Sequence, residues 1–262
     1  MSVTKFTTKS PISVFIICKN EERYIGTVLE QAAKFAKEII LVDSGSTDST
    51  LEIAAQYTDK IYQQDWLGYG KQKNFALSKC GYEWVLSIDA DEVLTDELIY
   101  EISKLPLAVT ASSNKNFSLD YPGYQIARKF FIGDKFICHG GYYPDYQLRL
   151  FKKSLGKFCE STVHESVELY NPATEKYSKD RSNCPKLNHP LNHYSYNSVE
   201  EMKSAFRKFA ELSTKRKNIF MAFISAIYTF VYKFVLRLGF MNGFLGLRLA
   251  MIHATYSFKK YN

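Results

Sequence analysis

The stretch Glu83-Trp84-Val85-Leu86-Ser87-Ile88-Asp89-Ala90-Asp91-Glu92 joins an apolar run to a cluster of carboxylates. A short, nearly continuous apolar run reads as a strand buried on both faces, the kind that parallel sheets hold. Asp89 and Asp91 then fall at its carboxyl end. Upstream, two periodicities alternate. Ile12–Cys18, Glu38–Val42 and Lys60–Gln63 read as strands. Between and after them, Glu22–Phe35, Asp48–Tyr57 and Gln72–Lys79 read as helices; the first places Ile25, Val28, Leu29, Ala32 and Phe35 at helical spacing. Thr95 then caps a helix reaching Lys104. Alternating strands and helices predict an α/β fold, a mainly parallel sheet with helices on both faces. In such sheets ligands bind at the carboxyl ends of the strands.

Those ends are where the polar residues gather. The first strand runs into Lys19-Asn20-Glu21-Glu22, the second into Asp43-Ser44-Gly45-Ser46-Thr47-Asp48, the fourth into Asp89-Ala90-Asp91-Glu92. One acidic strand end is commonplace, because acids cap helices and suit their positive ends. Three on one edge predict a site. Carboxylates two residues apart at a strand end can converge on one divalent cation. Hard oxygen donors suit Mg²⁺ or Mn²⁺, which keep waters and bind substrate phosphates as well.

From Asn116 to Lys186 the alternation stops. Tyr124–Arg128, Gln147–Phe151 and Ser166–Tyr170 read as strands, and Ser112–Asn116 and Ser178–Asn183 as loops. Ser198-Val199-Glu200-Glu201 reads as a capping box opening a helix to about Lys217.

The 262 residues carry a net charge of +7, from 34 basic and 27 acidic side chains. Eight of the basic residues and none of the acids lie between Leu212 and Asn262, leaving 26 basic against 27 acidic elsewhere. A near-neutral body with a basic tail excludes a domain spread for nucleic-acid binding and suits attachment to an anionic membrane surface. The expected division is a catalytic domain over 1–212 and a basic amphipathic helical tail over 213–262. Within the tail, Ile219–Leu236 holds one charge, Lys233. Asn218, Ser225, Thr229, Lys233 and Arg237 fall within about 120° of arc on a helix, a polar stripe that suits a helix lying in the interface. Phe244–Phe258 forms a second apolar segment, set off by Gly239, Gly243 and Gly246. The competing expectation is that both helices pack on the body or on a second subunit. Five scattered Cys without a C-x-x-C pair predict a reducing compartment. The first apolar run is short and ends in charges, so no secretory leader is expected.

Taken together, Pro11–Glu21, Ile40–Asp48, Gly70-Lys71-Gln72-Lys73-Asn74 and Ile88–Glu92 resemble, in order and spacing, the family 2 inverting glycosyltransferases of the GT-A fold. Gln147–Phe151, Val163-His164-Glu165, His193-Tyr194 and Gly239–Leu247 resemble a subgroup containing lipopolysaccharide core β-1,4-glucosyltransferases. The resemblance implies a UDP-hexose donor, a lipid-linked saccharide acceptor and a location on the cytoplasmic face of the inner membrane. It implies that Asp43 meets the nucleobase, that Lys73 lies near base and phosphate, and that Asn20 and Glu22 line the nucleotide pocket. Asp89 contacts the ribose or the ion, and Asp91 ligates the ion. Arg149 is either a paired strand residue or a phosphate contact. Relatives place the catalytic base in a Glu-Asp pair; here the corresponding stretch is Val163-His164-Glu165. Glu165 is therefore expected as base, His164 as its neighbour in the acceptor site, and Asp145 as the alternative base. His193 is either a third metal ligand or a packed histidine. The rival readings are a nucleotidyltransferase, which would want a Gly-rich phosphate loop after strand one, and an inactive sugar- or lipid-binding module.

Overall fold

The computed structural model describes residues 9–107, 121–160, 165–212 and 218–261. The chain opens β1 (Ser10–Cys18), α1 (Ile25–Phe35), β2 (Ala36–Asp43), α2 (Thr50–Ala54), β3 (Ile61–Gln63), α3 (Tyr69–Lys79), β4 (Trp84–Ser87), β5 (Glu92–Val93) and α4 (Asp96–Ser103). It continues β6 (Gly123–Ile132), β7 (Lys135–Phe136), β8 (Asp145–Lys152), β9 (Gly156–Phe158), β10 (Val167–Asn171), β11 (Lys176–Ser178) and β12 (Leu191–Tyr196). It ends in helices α5 (Val199–Leu212), α6 (Ile219–Val231) and α7 (Gly243–Tyr261). A π-helical turn, Tyr232–Leu236, prolongs α6, and a 3-10 turn, Gly239–Asn242, precedes α7. Two compact units result: Met1–Ala127 with Tyr146–Leu191, and Arg128–Asp145 with Asn192–Asn262. The second unit groups the tail helices with Arg128–Asp145 and with the chain from Asn192 onward.

In the first unit β3, β2, β1 and β4 run parallel in that order, and β8 pairs antiparallel with β4, Val85 opposite Phe151. The α/β sheet expected from the alternation is therefore present. From Ile12 to Cys18 every residue of β1 is buried except for a few per cent of its surface. Both faces of the strand are covered, so its sequence has no reason to alternate. Helix α1 buries Ile25, Val28, Leu29, Ala32 and Phe35, the five residues its periodicity selects. It begins three residues later than expected, because the Glu21 carbonyl accepts from both Tyr24 and Ile25 in a turn. Helix α2 is shorter than expected, since the Asp48 carboxylate turns back to accept from the backbone N–H of Thr50 at 3.1 Å. Thr95 caps α4 as expected, its hydroxyl accepting from Leu98 N–H at 3.2 Å. The core includes Phe15, Phe151 and Phe158 in edge-on contact, with Val42, Ala76, Val85 and Leu169 around them. A second, antiparallel sheet of β9, β10 and β11 completes the unit.

Helix α3 starts three residues before the expected Gln72. Gly68 sits at φ 92°, open to glycine and strained for other residues, and turns the chain into the helix. A Cβ on Gly70 would lie 2.2 Å from the carbonyl oxygen of Cys159, so only glycine lets α3 approach that strand end.

The second unit has its own core of Ile132, Ile137, Val199, Met202, Leu249 and Ile252. The expected capping box opens α5. Ser198 Oγ accepts from Glu201 N–H at 3.1 Å, while Glu201 reaches back one residue further than usual, to Asn197 N–H at 2.7 Å. Helices α6 and α7 join through a Ser225–Ser257 hydroxyl contact at 2.6 Å and an edge-on Phe223–Phe258 pair. Two residues of the expected polar stripe on α6, Ser225 and Lys233, make their contacts inside the second unit. Besides Ser225, Lys233 donates to the Gly140 carbonyl at 3.3 Å and lies over the Tyr142 ring, and Asn218 caps the helix at Phe220 N–H. The apolar side is the open one: Phe220, Ile227 and Tyr228 are each more than 60% exposed. Ile219–Leu236 is long and apolar enough to cross a membrane, with 6% of it buried.

Gly70→Ala should destabilise the protein by about 1–3 kcal/mol, the usual cost of overpacking, and should displace α3. Gly26→Ala, whose added Cβ would meet only the side-chain Ile53 Cγ2 at 3.2 Å, should cost less. Urea denaturation of both variants checks the order; equal midpoints would refute it.

Candidate active site

The loops after β1 and β2 are interlocked. Asn20 adopts φ 56°, a left-handed conformation that asparagine tolerates better than most residues. Its backbone N–H donates to Ser46 Oγ at 2.9 Å, and its side-chain oxygen accepts from Thr47 N–H at 2.8 Å. Glu22 accepts from Ser49 N–H at 3.0 Å, and Glu21 N–H donates to Thr50 Oγ1 at 2.8 Å. Asp43 is fully buried. One of its oxygens accepts from Gly45 and Ser46 N–H at 2.9 and 3.0 Å, the other from the Ser46 hydroxyl. Asp43 thereby holds the turn after β2.

Beside these loops lies a buried network of charge. Lys73, on α3, has 3% of its side-chain surface exposed. Its ammonium lies 2.8 Å from Asp89 Oδ1 and 2.9 Å from Glu165 Oε1. Arg149, on β8, places NH2 2.6 Å from Asp89 Oδ2 and also pairs with Glu92, whose side chain is fully buried. Two cations thus meet three carboxylates. Burial opposes the charge on Lys73, but Asp89 and Glu165 outweigh burial and the repulsion of Arg149, and its pKa is raised. Burial also works against the Asp89 carboxylate, yet Arg149 and then Lys73 hold it well below the usual carboxylate range. Burial disfavours the Arg149 cation too, and Asp89 and Glu92 more than restore it. Arg149 Nε is buried without a hydrogen-bond partner among the described residues.

Glu92 and Gln72 were not singled out by the sequence. Glu92 accepts from Asp89 N–H at 2.9 Å, a reach-back across three residues of the kind seen in capping boxes, which was a readable signal. Gln72 is fully buried and donates to Ser44 Oγ and to the Gln64 carbonyl, each at 3.0 Å, tying α3 to the turn after β2. Glu21 is a third addition. Burial, then the charges of Asp91, Asp48 and Asp89, push its carboxyl up to about 7. Tyr69 is a fourth: burial and then the charges of Glu165 and Asp89 raise its hydroxyl, and its ring meets Trp66 edge-on at 4.7 Å.

Among the described residues no three His, Cys, Asp or Glu are grouped to cage a metal. Mg²⁺ and Mn²⁺ need no such cage, since one or two carboxylates complemented by phosphate and water suffice. Asp91 could fill such a role, and its charge is among those that raise the Glu21 carboxyl; both Asp89 oxygens are on cations. His193 lies in the second unit, where it meets the Ser195 hydroxyl at 2.7 Å and the ring of Phe130. Asp145, also in the second unit, is paired with Arg128, whose Nε donates to it at 2.9 Å. His164 lies outside the described residues. His189 precedes β12 and meets Glu101 at 2.8 Å.

A parallel sheet with cations and carboxylates interlocked at the carboxyl ends of its strands is the framework of an enzyme that handles a charged substrate. The chain belongs to glycosyl transferase family 2, whose model matches residues 13–153. It is 34% identical over 256 residues to an uncharacterized glycosyltransferase of Rickettsia bellii, covering 93% of this chain and 82% of that protein. It is 36% identical over 170 residues to LpsC of Rhizobium meliloti, a lipopolysaccharide core biosynthesis glycosyltransferase, covering 61% of this chain and 57% of that one. The crystal structure of Staphylococcus aureus TarS 1–349 with UDP aligns over 88% of this chain and 75% of TarS, at 18% identity and a TM-score of 0.45.

A carboxyl raised in the folded state takes up a proton on folding. Its destabilising effect is absent below pH 4.5, grows through the interval to 7, and is complete above it. Glu21→Gln removes the effect. Its melting temperature should exceed the wild-type value above pH 7, and the two should converge toward pH 4.5; a pH-independent difference would refute the repulsion.

Proposed function

We propose that the protein moves a hexose, glucose from UDP-glucose, onto a lipid-linked saccharide such as the lipopolysaccharide inner core, by metal-dependent transfer with inversion. The reading is carried by one observation, the convergence of Lys73, Asp89, Arg149, Glu92 and Glu165. A nucleoside diphosphate brings negative charge that grows as the sugar departs. Fixed cations aimed at that charge stabilise the transition state without reorganising. Lys73 and Arg149 are held in place by carboxylates, and an arriving diphosphate would share them. Asp91, with Asp89 beside it, would hold Mg²⁺ or Mn²⁺, whose charge would add to that of the two cations when bound.

Glu165 supplies the base. The acceptor hydroxyl attacks the anomeric carbon on the face opposite the leaving diphosphate, and its proton passes to the Glu165 carboxylate. His164, adjacent in sequence, lies on the acceptor side in this scheme. Asp145 is the less favoured base on sequence order: the stretch that corresponds to the family's base follows the Arg149 strand, and Asp145 opens that strand. Asp43, Asn20 and Glu22 shape the nucleotide end, Asp43 through the turn it supports, while exposed Trp66 and Tyr69 offer stacking faces beside it. The acceptor class is supported by the name of the LpsC relative. A nucleotidyltransferase is disfavoured by the family match.

Attachment to the cytoplasmic face of the inner membrane is part of the proposal. The open apolar side of α6 and the acid-free tail support it, with nucleic acid playing no part.

Three outcomes are expected. Asp91→Ala should remove the Mn²⁺-dependent part of UDP affinity in calorimetric titration; unchanged affinity would refute its ligand role. Glu165→Gln should keep donor affinity and lose about 10²–10⁴ in transfer rate, the usual worth of a general base; near-normal turnover would place the base elsewhere. Phe220→Glu with Ile227→Glu, both at exposed positions, should abolish co-sedimentation with vesicles and leave the melting temperature unchanged; persistent sedimentation would remove α6 as the anchor.

A further inference from the structure

The second unit contains a groove between α5 and α7, with a cavity volume of about 220 Å³. The α5 residues lining it, Val199, Lys203 and Phe206–Arg207, recur every three to four positions, and those of α7 do the same from Arg248 to Lys259, so each helix presents one continuous stripe. Val199, Phe206, Met251 and Ile252 make an apolar floor. Four cations stand around it: Lys203, Arg207, Arg248 and Lys259. Arg248 is paired with Glu200 at 2.5 Å, while Lys203, Arg207 and Lys259 form no ion pair among the described residues. Cationic stems can lie along an apolar surface with their heads in water, but three unpaired cations around one apolar floor call for an anion with an apolar body.

The size narrows the occupant. At about 220 Å³ the cavity is below the ~300–1,000 Å³ of sites that enclose a whole small molecule. It suits a phosphate and the first carbons of a chain that continues elsewhere. The location narrows it further. The helix that forms one wall, α7, also packs against α6 through Ser225–Ser257 and Phe223–Phe258, and α6 carries the open apolar side.

We infer that this groove binds an anionic membrane lipid, with the headgroup phosphate among Lys203, Arg207 and Lys259 and the upper chain over Phe206 and Met251. The inference rests on the membrane-surface reading above and names the lipid chemistry that surface meets. Phosphate chemistry can come from a lipid or from the free ion, and the apolar floor selects the lipid.

The test is calorimetric titration of the full chain with dihexanoyl phosphatidate, dihexanoyl phosphatidylcholine and inorganic phosphate. Phosphatidate should bind about tenfold or more tighter than either of the others. Lys203→Gln/Arg207→Gln/Lys259→Gln should weaken phosphatidate on the order of 100-fold, as expected for three surface cations. Met251→Trp, at a position already 56% exposed, should weaken phosphatidate and leave phosphate unchanged. Both variants should keep the wild-type melting temperature and the wild-type rate of UDP-glucose turnover. Phosphate binding as tightly as phosphatidate would reduce the groove to an anion site and overturn the inference. Phosphatidylcholine binding as tightly, or phosphatidate binding unchanged in the triple variant, would overturn it as well. Failure here with sugar transfer intact leaves the catalytic reading standing, whereas loss of turnover dependence on Glu165 with lipid binding intact overturns only the catalytic one.

Discussion

The ammonium of Lys73 has almost no contact with water, and the first unit is arranged around that fact. Removing an ion from water costs several kcal/mol, and only close opposite charges with good geometry offset it. Asp89 and Glu165 provide them, from the end of β4 and from the chain leading into β10. The Lys73–Glu165 contact joins residues 92 positions apart, so the salt link also fixes where distant segments meet. Gly70 serves the same end by letting α3 approach Cys159, seven residues after β8 closes and six before Glu165. A longer residue at 70 would move Lys73 away from both carboxylates at once.

Arg149 extends the arrangement. It joins Asp89 to Glu92, which in turn accepts from the Asp89 backbone, so the carboxylate pair at the end of β4 is held from three sides. With two cations against three carboxylates, the cluster retains an excess of negative charge, and the charge of Asp91 nearby helps to push the Glu21 carboxyl up. Such a site repels an anion approaching alone and admits it with a cation. Metal dependence in the proposed reaction therefore has an electrostatic reason in this chain, beyond the presence of two aspartates.

The sheet was legible because its strands are buried on both faces, which makes them continuous apolar runs, and because polar residues begin where each strand ends. The same contrast marked Asp89, whereas Lys73, Arg149 and Glu165 were picked out by the family resemblance; the fold brings these four distant residues together. Their pairing was not legible. On sequence alone Lys73 reads as readily as a solvated helix residue, and nothing local announces a partner on another strand. Gln72 was hidden for the same reason, since its partners lie after β2 and β3. Asp43 has a structural part that its local sequence does announce: it holds the turn it begins, because a carboxylate with Gly45 and Ser46 just after it finds backbone N–H groups within reach.

The tail turns on which side of α6 its polar residues take. A helix on the surface of a protein in water hides its apolar stripe and exposes its polar one. Here the polar stripe is spent inside the unit, on Ser257, on the Gly140 carbonyl and on the Tyr142 ring, while Phe220, Ile227 and Tyr228 face outward. Periodicity finds such a stripe without telling which way it points, because the pattern is the same for both orientations. The helix cannot be rotated to hide its apolar side without breaking the Ser225–Ser257 contact and withdrawing Lys233 from Gly140. Its outward side therefore stays apolar whatever surrounds it, and an apolar surrounding is the one in which that side is at no disadvantage.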